Sequence, residues 1–226
     1  MRVLGTIQHT GTWTLIGFFK EVCGLTMGMH HPAKGSEYPF KHDFMHMHLS
    51  NTRFGGRLGD VSSLARFKEL AESHKAVIAL RDPMRSIITR HNRHPELRHT
   101  YLPLAFDRAV DLNGMPNLSW APLDLADDQD KRFALMRRLC NRLGVPITND
   151  KLTAWARDWP KRNSTPDVHG LHKAYDEGDM VKVYRAFPEE ANLLLTNTRL
   201  KTFLKEQGYD LPWFVHGSVF PFLERL

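Results

Sequence analysis

Val3-Leu4-Gly5-Thr6-Ile7-Gln8-His9-Thr10-Gly11-Thr12-Trp13-Thr14-Leu15-Ile16-Gly17-Phe18-Phe19 is the stretch whose reading decides the fold. Val3, Leu4 and Ile7 form a short apolar run, His9 to Thr12 a small-residue turn, and the residues after Thr12 a helix-like apolar segment. Strand, turn and helix in that order aim several backbone N–H groups and a helix dipole at one point, where an anion can sit. Gly11 permits close backbone approach, and Thr10, Thr12 and Thr14 add hydroxyls. The same pattern also describes an ordinary tight βα turn. The Walker spacing G-x-x-x-x-G-K-[S/T] is absent, and no lysine follows Gly11 before Lys20.

Working outward, Asp43 to Leu49 alternates Phe44, His46 and His48 against Met45, Met47 and Leu49, which predicts a strand. Ala76 to Leu80 is a continuous apolar run, the mark of a parallel strand buried on both faces. Leu118 to Leu123 is a further strand candidate. Between them, Asp60 can cap a helix over Val61 to Ser73, and Asp82-Pro83 opens one reaching about Asn92. Thr100 to Asp111 reads as helix. Asp127 or Asp128 starts an amphipathic helix that Gly144 and Pro146 end. Lys151 to Arg162 reads as helix with Trp155 and Trp159 in the core, and four short helices between Leu171 and Gln207 precede an aromatic tail. Cys23 to Tyr38, rich in Gly, Met, His and Pro, reads as an irregular loop over the site. Strands alternating with helices predict an α/β fold, a central parallel sheet wound with helices and a helix-rich C-terminal third. With no repeat and no long linker, residues 1–226 read as one domain.

Composition narrows the function classes. The 226 residues carry a net charge of +6 and 13 histidines, which suits an anionic ligand. No Lys/Arg tract interleaved with aromatics is present, so nucleic acid is not the expected partner. No apolar run approaches the roughly 18 residues of a membrane span, and no signal peptide is legible at the N-terminus, so a cytoplasmic location is expected. Two cysteines, Cys23 and Cys140, read as free thiols.

Arg81 stands at the carboxyl end of the Ala76–Leu80 strand, where open α/β sheets bind ligands, and Thr89 lies about two turns into the next helix. A guanidinium and a hydroxyl there could hold a phosphate, or Arg81 could pair with a neighbouring carboxylate. His46 and His48 share a face at i, i+2 with His42 close behind. A His-x-His pair can bind metal, but no third ligand is apparent, so packed or catalytic histidines are the other readings.

Taken together, these segments resemble the sulfotransferases that use 3′-phosphoadenosine 5′-phosphosulfate, a P-loop-like fold. Gln8-His9-Thr10-Gly11-Thr12-Trp13-Thr14-Leu15 falls in the frame of that family's Pro-Lys-Ser-Gly-Thr-Thr-Trp-Leu loop. Val77-Ile78-Ala79-Leu80-Arg81-Asp82-Pro83, with Thr89 at the serine position, matches its strand ending in Arg-x-Pro. Met47-His48-Leu49 is similar to its Lys-Thr-His-Leu, Leu123-Asp124-Leu125 to its Tyr-Glu-Asp-Leu, and Arg138 to Pro146 to its Leu-Cys-x-Phe-Leu-Gly. The likeness spans roughly the first 150 residues, in order. The resemblance implies that Thr10, Gly11, Thr12, Trp13 and Thr14 hold the donor's phosphosulfate and that Arg81 and Thr89 clamp its 3′-phosphate. His48 becomes the catalytic base, His46 and His42 face the acceptor, and Lys173 stands for a late basic element. His9 replaces the loop lysine and faces the leaving oxygen, and Trp13 comes one position early. The implied acceptor is a small molecule or glycan, with no metal required. A P-loop-like nucleotide kinase and a non-catalytic nucleotide-binding protein are the alternatives.

Overall fold

The computed structural model describes residues 1–7, 10–29, 42–49, 61–97, 99–159 and 166–214, the side chains of 61–63 excepted. Gln8 and His9 of the opening turn, Asp60, and the aromatic tail beyond Phe214 lie outside the described residues. The chain forms two compact units. The first comprises Met1–Arg81 and Leu112–Ser164, the second Asp82–Asp111 and Thr165–Leu226. No linker in the sequence marks the boundary, because the second unit is assembled from the middle and the end of the chain.

The first unit is built on five parallel strands: β1 (Arg2–Thr6), β2 (Met27–Met29), β3 (Phe44–His48), β4 (Lys75–Leu80) and β5 (Leu118–Pro122), in the spatial order β2-β3-β1-β4-β5. Four are the expected runs to within a residue or two. The fifth, β2, corrects the expectation of an irregular Cys23–Tyr38 loop. It is three residues long, too short for a periodicity signal, and among the described residues it pairs only along β3. β1 is central, with Thr6 opposite His48 on one side and Ala79 on the other. Its apolar residues are fully buried, as expected of a strand covered on both faces.

Successive side chains of β1 point to opposite faces, and each face has its own cover. Leu4 joins Val77, Ala79 and Ala121 in a core shared with α1 (Thr12–Gly17), α5 (Gln129–Leu143) and α6 (Asn149–Asp158). Gly5, on the other face, lies under α2 (Val61–Ser73), where an added Cβ would come 2.7 Å from Phe67 Cε2. α1 continues through one π-helical turn, Phe18–Val22, which packs aromatics edge to face. Phe18 meets Trp155 at 4.8 Å between centroids, and Trp155 meets Trp159 at 4.5 Å. Both tryptophans are buried, as core residues should be.

Local chemistry sets the helix ends. Asp128 caps α5 by accepting from the Lys131 N–H, and Gly144 closes it in the left-handed region at φ 64°. Arg2 then donates from Nε to the Leu143 carbonyl and from Nη2 to that of Gly144, each at 2.6 Å, placing a cation on the helix's negative end.

The second unit is helical: α3 (Pro83–Arg93), α4 (Tyr101–Ala109), α7 (Leu171–Asp176), α8 (Met180–Ala186), α9 (Pro188–Thr196) and α10 (Thr198–Glu206). Asp82 is fully buried; its Oδ1 caps α3 through the Met84 N–H at 2.9 Å and accepts from Trp213 Nε1 at 3.2 Å. Asn197 caps α10 through the Leu200 N–H, while its amide donates to Asp107. Among the described residues, no helix is long and apolar enough to cross a membrane.

Candidate functional site

The turn after β1 is closed from within. Thr10 donates its hydroxyl to the Ile7 carbonyl at 2.7 Å, its N–H reaches the same oxygen at 3.3 Å, and it is fully buried. That hydroxyl proton is committed to the turn. Thr10 therefore shapes the loop, with its hydroxyl hydrogen turned inward.

Gly11 follows at φ 88°, ψ 26°, a left-handed conformation that side-chain-bearing residues rarely adopt. An added Cβ would also lie 2.4 Å from Leu123 Cδ1, just beyond the end of β5. The position thus excludes side chains twice over. Its carbonyl accepts from the N–H groups of Thr14 at 3.0 Å and Leu15 at 3.3 Å, which begins the helical run. The N–H groups of Thr12 and Trp13 precede those bonds, at the helix's positive end. Thr12 is buried and Thr14 half-buried, while Trp13 is 73% exposed.

At the neighbouring strand end, Thr6 holds two imidazoles. Its Oγ1 lies 2.9 Å from His46 Nε2 and 3.3 Å from His48 Nδ1, and the two rings meet edge to face at 4.5 Å. Strand register produces this group: Leu4 lies opposite His46 and Thr6 opposite His48, all on one face. Burial then divides the histidines. His46 is 1% exposed, and its Nδ1 has no hydrogen-bond partner among the described residues. Burial first, and His48 second, hold its pKa down to about 3, so it stays neutral at physiological pH. His48 itself is half-buried, at the strand's last position.

The other expected residues are not all gathered here. His42 is exposed and precedes β3, at the opposite end of the strand from His48, where it packs over Gly28. His9 lies outside the described residues. Arg81 directly follows β4 and is half-buried, the last residue of the first unit's opening segment.

In the second unit, Thr89 is buried on α3, with Oγ1 3.2 Å from His172 Nε2 on α7. Lys173 is largely exposed, with Nζ 3.7 Å from Glu177. The first N–H groups of α7 are already engaged. Asp167 accepts those of Leu171 at 3.0 Å and His172 at 3.1 Å on one oxygen, and that of Lys173 at 2.9 Å on the other. The residue beside Thr89 is therefore His172 rather than Lys173.

Thr6 has no role in the expectations from sequence, and the packing of Leu123 on Gly11 and of His172 on Thr89 is not among them either. Thr6 carried a signal, as a hydroxyl at the last position of the central strand. Leu123 carried none, because its contact with Gly11 spans more than a hundred residues. Among the described residues, no group of three His, Cys, Asp or Glu side chains comes together as a metal site. The first unit thus brings a left-handed glycine turn at a helix start to the end of β1, and a hydroxyl between two imidazoles to the ends of β1 and β3. Comparison with protein-family models, curated proteins and solved structures finds no match.

Proposed function

We propose that this chain is a sulfotransferase, moving a sulfuryl group from 3′-phosphoadenosine 5′-phosphosulfate to the hydroxyl or amine of a small-molecule or glycan acceptor, on a P-loop-like architecture. The observation that carries the reading is the Thr6–His46–His48 group at the carboxyl ends of β1 and β3, beside the Gly11 turn. The strand order supports it. The segment after β1 covers one face of the sheet and the helix after β3 covers the other, so the end of β1 lies at a topological switch point, where wound sheets take ligands.

Sulfuryl transfer, like phosphoryl transfer, asks the protein mainly to position and neutralise. His48 takes the acceptor's proton as its oxygen or nitrogen bonds to sulfur. The sulfur–oxygen bond to the phosphate breaks, and its electron pair leaves with adenosine 3′,5′-bisphosphate. For His48 to accept at Nε2, its Nδ1 must carry hydrogen, and Thr6 Oγ1 is placed to receive it. Thr6 can then donate its own proton to His46 Nε2. The Thr10–Thr14 segment is assigned to the phosphosulfate, His9 to the leaving oxygen and Arg81 to the 3′-phosphate. The transferred group bears one negative charge, so a divalent ion is not required for neutralisation.

Calorimetric titration with adenosine 3′,5′-bisphosphate, set beside 5′-AMP and ATP, tests the reading. The bisphosphate should bind about ten- to a hundredfold more tightly than 5′-AMP, the worth of one charge-assisted contact set. Arg81→Ala should erase most of that preference. His48→Asn should lower turnover by about a hundredfold while nucleotide affinity stays within a few-fold. Equal affinities for the two nucleotides would overturn the proposal. Tighter binding of ATP with magnesium would favour a kinase, and binding without turnover of any acceptor a non-catalytic nucleotide-binding protein.

A further inference from the structure

The two cysteines, 117 positions apart in sequence, meet in the first unit. Cys23 follows the π-helical turn and is half-exposed. It lines an open pocket of about 330 Å³ with Val22, Pro146, Ile147, Thr148 and Lys151. Cys140, on α5, is fully buried in the adjoining core, against which Cys23 also packs. The carbonyl of Cys140 accepts the Val145 N–H at 2.8 Å, in the turn that leads into the pocket wall at Pro146. Each thiol is the strongest influence on the other's charge, and the Lys151 ammonium acts on Cys23 from the pocket side.

From this geometry we propose that Cys23 is a thiol-exchange site for small anionic disulfides, of which oxidised glutathione is the probe, with Cys140 as the resolving thiol. A disulfide entering the pocket meets only the Cys23 sulfur, because Cys140 lies behind it. The Cys23 thiolate attacks one sulfur of the probe, and the probe's S–S bond breaks. One reduced glutathione leaves, and a mixed disulfide remains on Cys23. Cys140 then attacks the Cys23 sulfur, the second glutathione leaves as a thiol, and a Cys23–Cys140 bond is formed. Two protein thiols have been oxidised and one external disulfide reduced, so electrons and protons balance. The ammonium of Lys151 complements the probe's carboxylates.

Access sets the order of the steps, since Cys23 lines the pocket and Cys140 is fully buried. The Cys140 thiol, together with burial, pushes the Cys23 thiol up, while Cys23 pulls Cys140 down with help from Arg137. Cys23 is mostly protonated at neutral pH, so the first exchange is slow and quickens as pH rises. The resulting bridge would join the far end of the helical run that begins after Gly11 to α5.

The full chain, incubated with oxidised glutathione, alkylated under denaturing conditions and mapped by mass spectrometry, tests this. The expected product is a Cys23–Cys140 linked peptide in monomeric protein. Cys140→Ser should stop at one glutathione on Cys23, and Cys23→Ser should gain none. Lys151→Glu should slow the first step several-fold with oxidised glutathione while leaving the uncharged hydroxyethyl disulfide unaffected. Both cysteines remaining alkylatable in folded wild-type protein, or glutathione attaching to Cys140 in Cys23→Ser, would overturn the proposal. Equal slowing of both probes by Lys151→Glu would overturn the anionic ligand class.

Discussion

Replacing Gly11 by alanine perturbs the turn in two separable ways. At φ 88° the backbone is in the left-handed region, which costs an L-residue about 1–2 kcal/mol. The new Cβ also lies 2.4 Å from Leu123 Cδ1, an overlap that buried Leu123 can relieve only by shifting, and overpacking of this kind costs about 1–3 kcal/mol. The sum is about 2–5 kcal/mol of unfolding free energy, read from urea transitions. Leu123→Ala alone should destabilise by about 2–5 kcal/mol through the cavity it leaves. In the Gly11→Ala background it should cost less, because it also removes the overlap, giving a favourable coupling of about 1–3 kcal/mol. The backbone strain remains in the double variant. Gly5→Ala is the control: its Cβ meets Phe67 Cε2 at 2.7 Å on the other face, so it should lose about 1–3 kcal/mol yet keep nucleotide affinity, whereas Gly11→Ala should lose both. If Gly11→Ala changes stability by less than about 0.5 kcal/mol, or the Gly11 and Leu123 changes are additive, the reasoning fails.

Two further outcomes follow from the same structure. Thr6→Val keeps the shape but removes the hydroxyl between His46 and His48, so turnover should fall at least tenfold with a displaced pH profile; an unchanged profile would show that Thr6 does not orient the base. Acid should weaken the fold through His99, whose ring is buried with neither nitrogen hydrogen-bonded among the described residues. Burial first, then His91, Arg90 and His94, push its pKa down to about 4, against the opposing pull of Glu96. Because the folded value is depressed, the unfolded chain binds the proton more readily. Stability is therefore full above about pH 6.5 and falls towards pH 4, by up to about 3 kcal/mol. His99→Leu should flatten this decline in urea midpoints measured at pH 7 and pH 4.5, and an equally steep decline in the variant would refute the assignment.

Much of the first unit was legible because its signals are local. β4 announces itself as a continuous apolar run, and α5 by Asp128 at one end and Gly144 at the other; each device acts within a few residues. β2 was not legible, because three residues cannot display a period and its partner is supplied by β3. The π-helical turn at Phe18–Val22 reads from sequence as ordinary helix, its aromatics placed by Trp155 and Phe44 rather than by any nearby residue. The boundary at Arg81–Asp82 falls inside a strand–helix junction, where composition does not change.

For the candidate site, period-two alternation correctly put His46 and His48 on one face, with His46 one pleat deeper than His48. His46 sits opposite Leu4 in the covered body of the sheet, while His48 sits opposite Thr6 at its end. One pleat deeper in the sheet, burial holds the His46 imidazole down at a pKa of about 3. A buried neutral imidazole beside a proton acceptor is useful because it brings no positive charge of its own to repel a proton arriving on His48. It accepts from Thr6 without competing for that proton. The Thr10 hydroxyl is drawn inward by the Ile7 carbonyl, a choice made by the turn's closure and invisible in the string Thr10-Gly11-Thr12. The backbone N–H groups at this strand end owe their positions to Gly11, whose left-handed conformation is packed against Leu123, more than a hundred residues away in sequence.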